Sequence, residues 1–272
     1  MTVVTTPTTE VPLSRQTWFI RVLQAAVIVS FIGMWEGLGQ VGVLDKFFYS
    51  RPSLIVPRIA GWFAEGFIQT SIYRDIEVTL TETVLGFVIG TFLGVTIGYA
   101  FARNRLLGQA FDPLLSMFNA IPRLVLAPVF ILAFGIDLAS KVALGVTLVF
   151  FIVFFATFTA VRDVDQTLVD NVRVLGARRR DVTFQVLLPA AFSAIVASLR
   201  TSAGFAFAGA VVAEYIGSSV GVGRRIANSE AFFDSTGVFG GIVVIAAMAL
   251  VLDAGLQVVE GRFSRWKPRR ER

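Results

Sequence analysis

The sequence predicts an all-α membrane protein with about six membrane-spanning helices. Hydrophobic residues fill 55% of the 272 positions and charged residues only 16%, whereas about a quarter of the residues of a soluble domain are charged. The mean hydropathy is +0.74, and the apolar residues are gathered into stretches long enough to cross the hydrocarbon layer as helices. These observations place the chain among polytopic membrane proteins.

Six stretches of about 20 residues each satisfy the length requirement for a spanning helix. They are residues 18–38, 83–102, 113–136, 142–161, 190–213 and 235–259. The second and the fourth contain no charged residue, and the first has charges only near its ends, where long side chains reach the interface. The other three carry single interruptions, which are Arg123, Arg200 and Asp253.

The basic residues predict the orientation of these spans. Six spans put both termini on one side, which then carries fourteen Lys and Arg residues against seven on the other. The positive-inside rule places the richer side in the cytoplasm. We therefore expect a flexible cytoplasmic tail over 1–17, one membrane domain over 18–260 and a basic cytoplasmic tail over 261–272. Since that tail follows a span directly, we expect it to face anionic lipid headgroups rather than nucleic acid.

The second span carries four glycines at GxxxG spacing on one helix face. They are Gly86, Gly90, Gly94 and Gly98. Small residues at this spacing let two helix backbones approach closely. The pattern favours packing within one subunit, with a contact between subunits as the alternative.

The third span contains Pro122 and Pro128, with Arg123 beside the first. Each proline removes a backbone donor, so the pattern predicts a kinked helix whose freed carbonyls face protein or water. Arg123 either lines a polar pathway or extends to the interface.

The loop over 162–189 alternates apolar residues with Asp and Arg at helical spacing. Leu168, Val172 and Leu175 recur on one face, Gly176 ends the run, and a second amphipathic stretch precedes Pro189. The pattern predicts a helix–Gly–helix hairpin that docks a partner, or alternatively an interfacial helix lying on headgroups.

This hairpin resembles the EAA loop of binding-protein-dependent ABC transporter permeases. The family pattern is EAA, three residues, Gly, nine residues and I-x-L-P; here Asp170-Asn171-Val172, Gly176 and Val186-Leu187-Leu188-Pro189 hold the same spacing. The triplet departs from the pattern, although Asp170 keeps the carboxylate. Segments such as RPSLIVPR, AIPRLVLAPVFILAFGI and VVAEYIGSSVGVGRRI extend the resemblance over nearly the whole chain and indicate the nitrate/sulfonate/taurine/bicarbonate branch, in which thiamine-precursor permeases also occur.

The resemblance implies that this chain is a non-catalytic permease in the bacterial inner membrane. Two copies form the pathway, a separate ATPase binds ATP and magnesium and docks on the hairpins, and an extracytoplasmic binding protein delivers the solute. The chain itself has no GxxxxGK[ST] loop and is expected to bind no cofactor. The residues expected to serve ATPase coupling are Asp170, Val172, Leu175, Gly176, Arg178, Arg179, Val182 and Pro189.

Charged residues in or near the spans are the pathway candidates, namely Arg123, Arg200 and Glu214. The basic ones suit a small anionic solute; a thiamine-precursor pyrimidine or another planar heterocycle is the alternative. A stand-alone channel or carrier would need no docking hairpin. An intramembrane enzyme is disfavoured because the chain has no Cys or His, which also excludes disulfides and Cys or His zinc sites. The glycine-rich segment 217–223 is either a flexible turn or a gate at the outer mouth.

Overall fold

The computed structural model describes residues 13–66, 71–104, 106–108, 110–111, 117–118 and 121–263. The helices are α1 (Leu13–Gln40), α2 (Lys46–Tyr49), α3 (Pro52–Ala64), α4 (Ile72–Arg103), α5 (Arg123–Phe134), α6 (Leu138–Arg162), α7 (Gln166–Val174), α8 (Arg179–Ile216), α9 (Val222–Ala231) and α10 (Ser235–Phe263). Among the described residues, α1, α4, α6, α8 and α10 are long and apolar enough to cross a membrane, and α5 is a shorter apolar helix. The all-α polytopic fold is confirmed.

The core of the bundle is a three-helix packing of α4, α6 and α8. The four glycines of α4 are buried against α6. A Cβ on Gly90 would lie 2.7 Å from the Cβ of Val149, and one on Gly86 would lie 3.2 Å from the Cα of Gly145. The glycine face therefore sets the α4–α6 separation within this chain, because any side chain there would push the helices apart.

Helix α4 begins well before the uncharged stretch that the sequence assigns to the second span. It starts at Ile72 and includes Asp75 and Glu82, both buried. A span predicted from hydropathy ends at the first charged residue, whereas this helix continues past Glu82 to Ile72 because both acidic side chains lie inside the bundle.

The two prolines of the third span begin a helix and do not kink one, so the predicted kink is wrong. Pro122 precedes the 3₁₀ turn Arg123–Leu126, and Pro128 lies in the first turn of the helix Ala127–Phe134. Proline suits that position because first-turn N–H groups have no intrahelical partner. The rest of the predicted span includes residues 112–116 and 119–120, which lie outside the described residues.

Helix α8 also begins earlier than expected. Its 38 residues run from Arg179, through a π-helical stretch Thr183–Leu187, into Leu188–Ile216. Pro189 does not open the helix; it follows the π turn, where a local widening of the ladder accommodates the missing N–H. The second arm of the hairpin and the fifth span are therefore one continuous helix.

The two ends of the bundle differ. The hairpin end carries the last turns of α4 and α6 together with the hairpin itself, residues 162–189. The opposite end carries α2, α3, α9 and the segment 217–223. There the Arg58–Asp234 ion pair at 2.6 Å and the Ser50–Thr236 hydrogen bond at 2.9 Å link the α2–α3 region to the start of α10. Helix α1 packs against α3, and most of its described apolar side chains are exposed.

Helix α1 begins at Leu13, inside the segment 1–17 assigned to a tail. Residues 1–12, and 264–272 of the basic tail, lie outside the described residues.

Candidate functional site

The hairpin has a defined geometry at both ends of α7. Asp165 caps the helix, since its carboxylate accepts a hydrogen bond from the backbone N–H of Thr167 at 2.8 Å. The hydrogen bonds from Thr167 hold the pKa of Asp165 below its ordinary value. At the other end Gly176 has φ +91°, a left-handed conformation that favours glycine.

Two backbone hydrogen bonds close the turn at Gly176. The N–H of Ala177 donates to the carbonyl of Val172 at 3.2 Å, and the N–H of Gly176 donates to the carbonyl of Arg173 at 2.9 Å. This pair of bonds is the Schellman motif, which satisfies carbonyls that a helix end leaves free. The turn is therefore a fixed corner between the two arms.

The inner face of the hairpin is anchored in the bundle. Val169 on α7 and Val182 on α8 are 3% and 1% exposed and join a cluster that includes Val161, Leu187 and Ile195. The expectation that Val182 contacts a partner is therefore wrong, because its side chain is already buried within this chain. Val172 is half-buried, and Pro189 is exposed at the start of the straight part of α8.

The outer face of the hairpin presents apolar side chains to solvent. Val174 and Leu175 are 87% and 85% exposed, and Leu168 and Phe184 are 54% and 60% exposed. Val174 and Leu175 are neighbours at the turn, and adjacent exposed apolar side chains on an otherwise polar segment are typical of an interaction site. Leu168 and Leu175 belong to the apolar repeat described from the sequence. Val174 and Phe184 are not part of that repeat, and sequence reasoning therefore missed them.

Charged groups surround this tip. Asp170 pairs with Arg173 at 3.3 Å on the surface of α7, and the backbone N–H of Arg178 donates to the carboxylate of Asp181 at 2.9 Å. The guanidinium of Arg180 lies 5.8 Å from the centre of the Phe184 ring. Arg179 is exposed.

A buried polar centre lies at the opposite end and holds the segment 217–223. Glu214 is fully buried; it accepts a hydrogen bond from the Thr79 hydroxyl at 2.6 Å and one from the backbone N–H of Gly223 at 2.7 Å. The N–H of Val222 donates to the Thr79 hydroxyl at 3.1 Å. Asp75 accepts from the N–H of Gly221 at 2.9 Å.

These contacts join three parts of the chain. Asp75 also pairs with Arg225 of α9 at 2.6 Å, and the Arg225 guanidinium lies 5.1 Å from the centre of the Trp62 ring of α3. The segment 217–223 is therefore held against α4 and is not a flexible turn. Sequence reasoning missed Asp75 and Thr79, since their partners lie more than 130 positions away.

Two further charged residues are buried beside this centre. Glu82 and Lys141 are each 2% exposed, and the Lys141 ammonium donates to the carbonyl of Ile136. Glu82 lies beside Glu214, and one of its buried carboxyl oxygens has no hydrogen-bond partner among the described residues. Two neighbouring carboxyl groups do not compensate each other's charge, so the Lys141 ammonium is the group that offsets the cost of burying them in membrane helices.

The three pathway candidates each lie against a different part of the bundle. The Arg123 guanidinium is 4.5 Å from the centre of the Phe151 ring of α6. Arg200 pairs with Asp253 of α10 at 3.1 Å and lines a cavity of about 180 Å³ between α4, α8 and α10. Glu214 does not line an open route in this structure, because it is fully buried and both its oxygens accept hydrogen bonds.

The structure is thus a bundle of helices long enough to cross a membrane, with a fixed, apolar-tipped hairpin at one end. The family model for the binding-protein-dependent transport system inner membrane component matches residues 86–265, and the chain belongs to this family. It is thus a permease subunit of an ABC importer, as the EAA spacing indicates.

Relatives along nearly the full length agree with this assignment. The chain is 32% identical over 253 residues to a putative aliphatic sulfonates transport permease protein of Bacillus subtilis, covering 93% of this chain and 89% of the relative. It is 26% identical over 258 residues to a taurine transport system permease protein of Escherichia coli, covering 94% and 92%. The sulfonate and taurine branch indicated by the sequence is confirmed.

The fold is also that of a solved ABC transporter. An inward-facing structure of a methionine ABC transporter superposes with a TM-score of 0.55 at 16% identity, covering 69% of this chain and 95% of that chain. At this identity the likeness concerns the fold alone.

Proposed function

We propose that this chain forms the membrane pathway for a small sulfonate-type anion and is driven by a separate ATPase subunit that binds the hairpin. The observation that carries the proposal is the exposed apolar tip, Val174 and Leu175, held on a fixed turn whose inner face is buried in the bundle. A force applied to this tip reaches the membrane helices because α8 is continuous with them.

The hairpin has the composition of a binding interface. Burying a Leu or Val side chain stabilises a complex by about 1.5–3 kcal/mol, and both tip residues have most of their surface available. The surrounding charges of Asp170, Arg178 and Arg179 would set register and specificity. Val182 and Pro189 would act from within the chain, by fixing the position of the second arm.

The remaining partners follow from the family. We infer two permease copies per transporter, an extracytoplasmic binding protein that delivers the solute, and an ATPase that carries ATP and magnesium. The exposed apolar surface of α1 would be covered by lipid or by the second copy. Both termini and the hairpin end would face the cytoplasm of a bacterial cell, in keeping with the distribution of basic residues.

The names of the relatives, sulfonate and taurine permeases, support the solute class. Arg123 and Arg200 are the basic pathway candidates, although Asp253 compensates the charge of Arg200.

Co-purification tests the docking proposal. The permease and the ATPase encoded with it are co-expressed, and Leu175→Asp is compared with Phe232→Asp. Both side chains are exposed, at 85% and 83%, but Phe232 lies at the opposite end of the bundle. We expect the ATPase to be lost from Leu175→Asp and retained by Phe232→Asp. Retention in both variants would refute the docking role of the hairpin.

Uptake tests the solute class. Cells that express the complete transporter should accumulate labelled taurine or an alkanesulfonate, and Arg123→Gln should reduce this uptake while Arg123→Lys retains more of it. Uptake of a thiamine-precursor pyrimidine with no competition by sulfonates would contradict the anionic assignment.

A further inference from the structure

A cavity of about 700 Å³ lies at the hairpin end, between the hairpin and the last turns of α4 and α6. Its charged and amide-bearing lining residues are Arg103, Asn104, Arg162, Gln166, Arg173 and Arg179. Four guanidinium groups thus border one space, and among the described lining residues none is acidic. The cavity is separate from the exposed apolar tip, which lies on the outer face.

Among the residues that the structure describes, the positive charge of this cavity is only partly compensated. Arg103 donates to neutral groups, the hydroxyls of Tyr99 at 3.4 Å and Thr183 at 3.3 Å. Arg162 lies 5.0 Å from the centre of the Phe158 ring. Arg173 has an acidic partner in Asp170, at 3.3 Å on the exposed surface of α7, and exposed pairs of this kind compensate weakly.

The chemistry that fits such a space is that of an oxyanion. Guanidinium groups offer planar pairs of N–H donors that match phosphate and sulfonate oxygens. The cavity lies beside the ends of two membrane-spanning helices, which is the level of the lipid headgroups. Basic pockets between helices at that level bind phosphate headgroups.

We propose that this cavity binds an oxyanion, supplied by the phosphate of an anionic phospholipid headgroup. Arg103 and Arg162 come from the spans, whereas Arg173 and Arg179 come from the two arms of the hairpin. An anion held among them joins the hairpin to the bundle, so the lipid stiffens the element through which motion enters the membrane domain. This proposal does not depend on the identity of the solute.

Lipid titration tests the site. The full-length permease is purified in detergent, depleted of lipid and titrated with phosphatidylglycerol or phosphatidylcholine, and bound lipid is counted by native mass spectrometry. We expect one preferred phosphatidylglycerol site. Each basic side chain near the headgroups is worth about fivefold in affinity, so Arg103→Gln combined with Arg162→Gln should weaken binding roughly 30-fold. Replacing the same two residues by Lys should retain most of the binding.

A matched control separates a site from general attraction. Arg178→Gln combined with Arg180→Gln removes two exposed charges from the same end of the molecule but from outside the cavity lining. Its binding should stay close to that of the unmodified chain; equal weakening in both double variants would overturn the proposal.

Inorganic phosphate distinguishes the two sources of the oxyanion. Thermal stabilisation by phosphate in detergent that is lost in the Arg103/Arg162 variant, without a phosphatidylglycerol preference, supports the cavity and assigns it to a free anion. Equal binding of the two lipids together with no effect of phosphate would show that the cavity holds no oxyanion.

Discussion

Substitution of Gly176 separates the conformational role of the hairpin turn from its contacts. The φ of +91° is strained for any residue with a Cβ, yet a Cβ built at this position meets no atom within 4 Å. A change to Ala therefore adds no steric clash within the chain, and its effect comes from backbone conformation alone.

The expected magnitude follows from the cost of the left-handed region. A residue with a Cβ pays about 1–2 kcal/mol there, which corresponds to roughly a 5- to 30-fold loss in the population of the closed turn. Asn tolerates the conformation better than Ala, and a β-branched residue tolerates it least. Coupling should thus decrease in the order Gly, Asn, Ala, Val.

The assay is solute uptake per ATP hydrolysed, measured in proteoliposomes that contain the permease, its ATPase and the loaded binding protein. We expect ATP hydrolysis to continue while uptake falls through the series. Thermal unfolding serves as the control, because the buried cluster under the hairpin should keep the fold. Uptake at the unmodified level in the Val variant, or a lower uptake in Asn than in Val, would falsify the reasoning.

Three other changes test the described packing. Gly90→Ala should lower the unfolding temperature in detergent, at a cost of about 1–3 kcal/mol, because its Cβ would lie 2.7 Å from that of Val149. The control is Gly255→Ala, which should not destabilise the protein because its Cβ would meet no atom within 4 Å. Equal decreases in unfolding temperature for the two variants would contradict the close approach of α4 and α6. Glu214→Ala leaves the buried N–H of Gly223 without its acceptor, which costs about 1–3 kcal/mol of stability. Proteolysis within 217–223 should therefore become faster; an unchanged cleavage rate would show that other contacts hold the segment. Val182→Asp should reduce the yield of folded permease, whereas Leu175→Asp should not, since the first side chain is 1% and the second 85% exposed; equal yields would argue against the described orientation of the hairpin.

The sequence was informative where a single local pattern decides the structure. The uncharged fourth span corresponds to α6, and the helix–Gly–helix prediction corresponds to α7, Gly176 and the start of α8. In both cases the deciding property, either hydropathy or the conformational preference of glycine, can be read from residues that are adjacent in the sequence.

The sequence was uninformative where distant residues decide. Asp75 and Thr79 look like the charged and polar edge of a span, and only the fold shows that they bind Gly221 and Glu214. Likewise, helical spacing shows that Val182 lies on an apolar face but not whether that face meets a partner or this chain's own cluster.

The length of α8 has a mechanical consequence. Its 38 residues span about 57 Å at 1.5 Å per residue. One end is the second arm of the hairpin, and the other end carries Glu214, next to the segment 217–223. A tilt of 5° about the midpoint displaces each tip by roughly 2.5 Å over that length. Helices commonly bend at π-helical turns, so the stiffness of the five residues Thr183–Leu187 would decide how much of the motion proposed for the hairpin reaches the far end of α8.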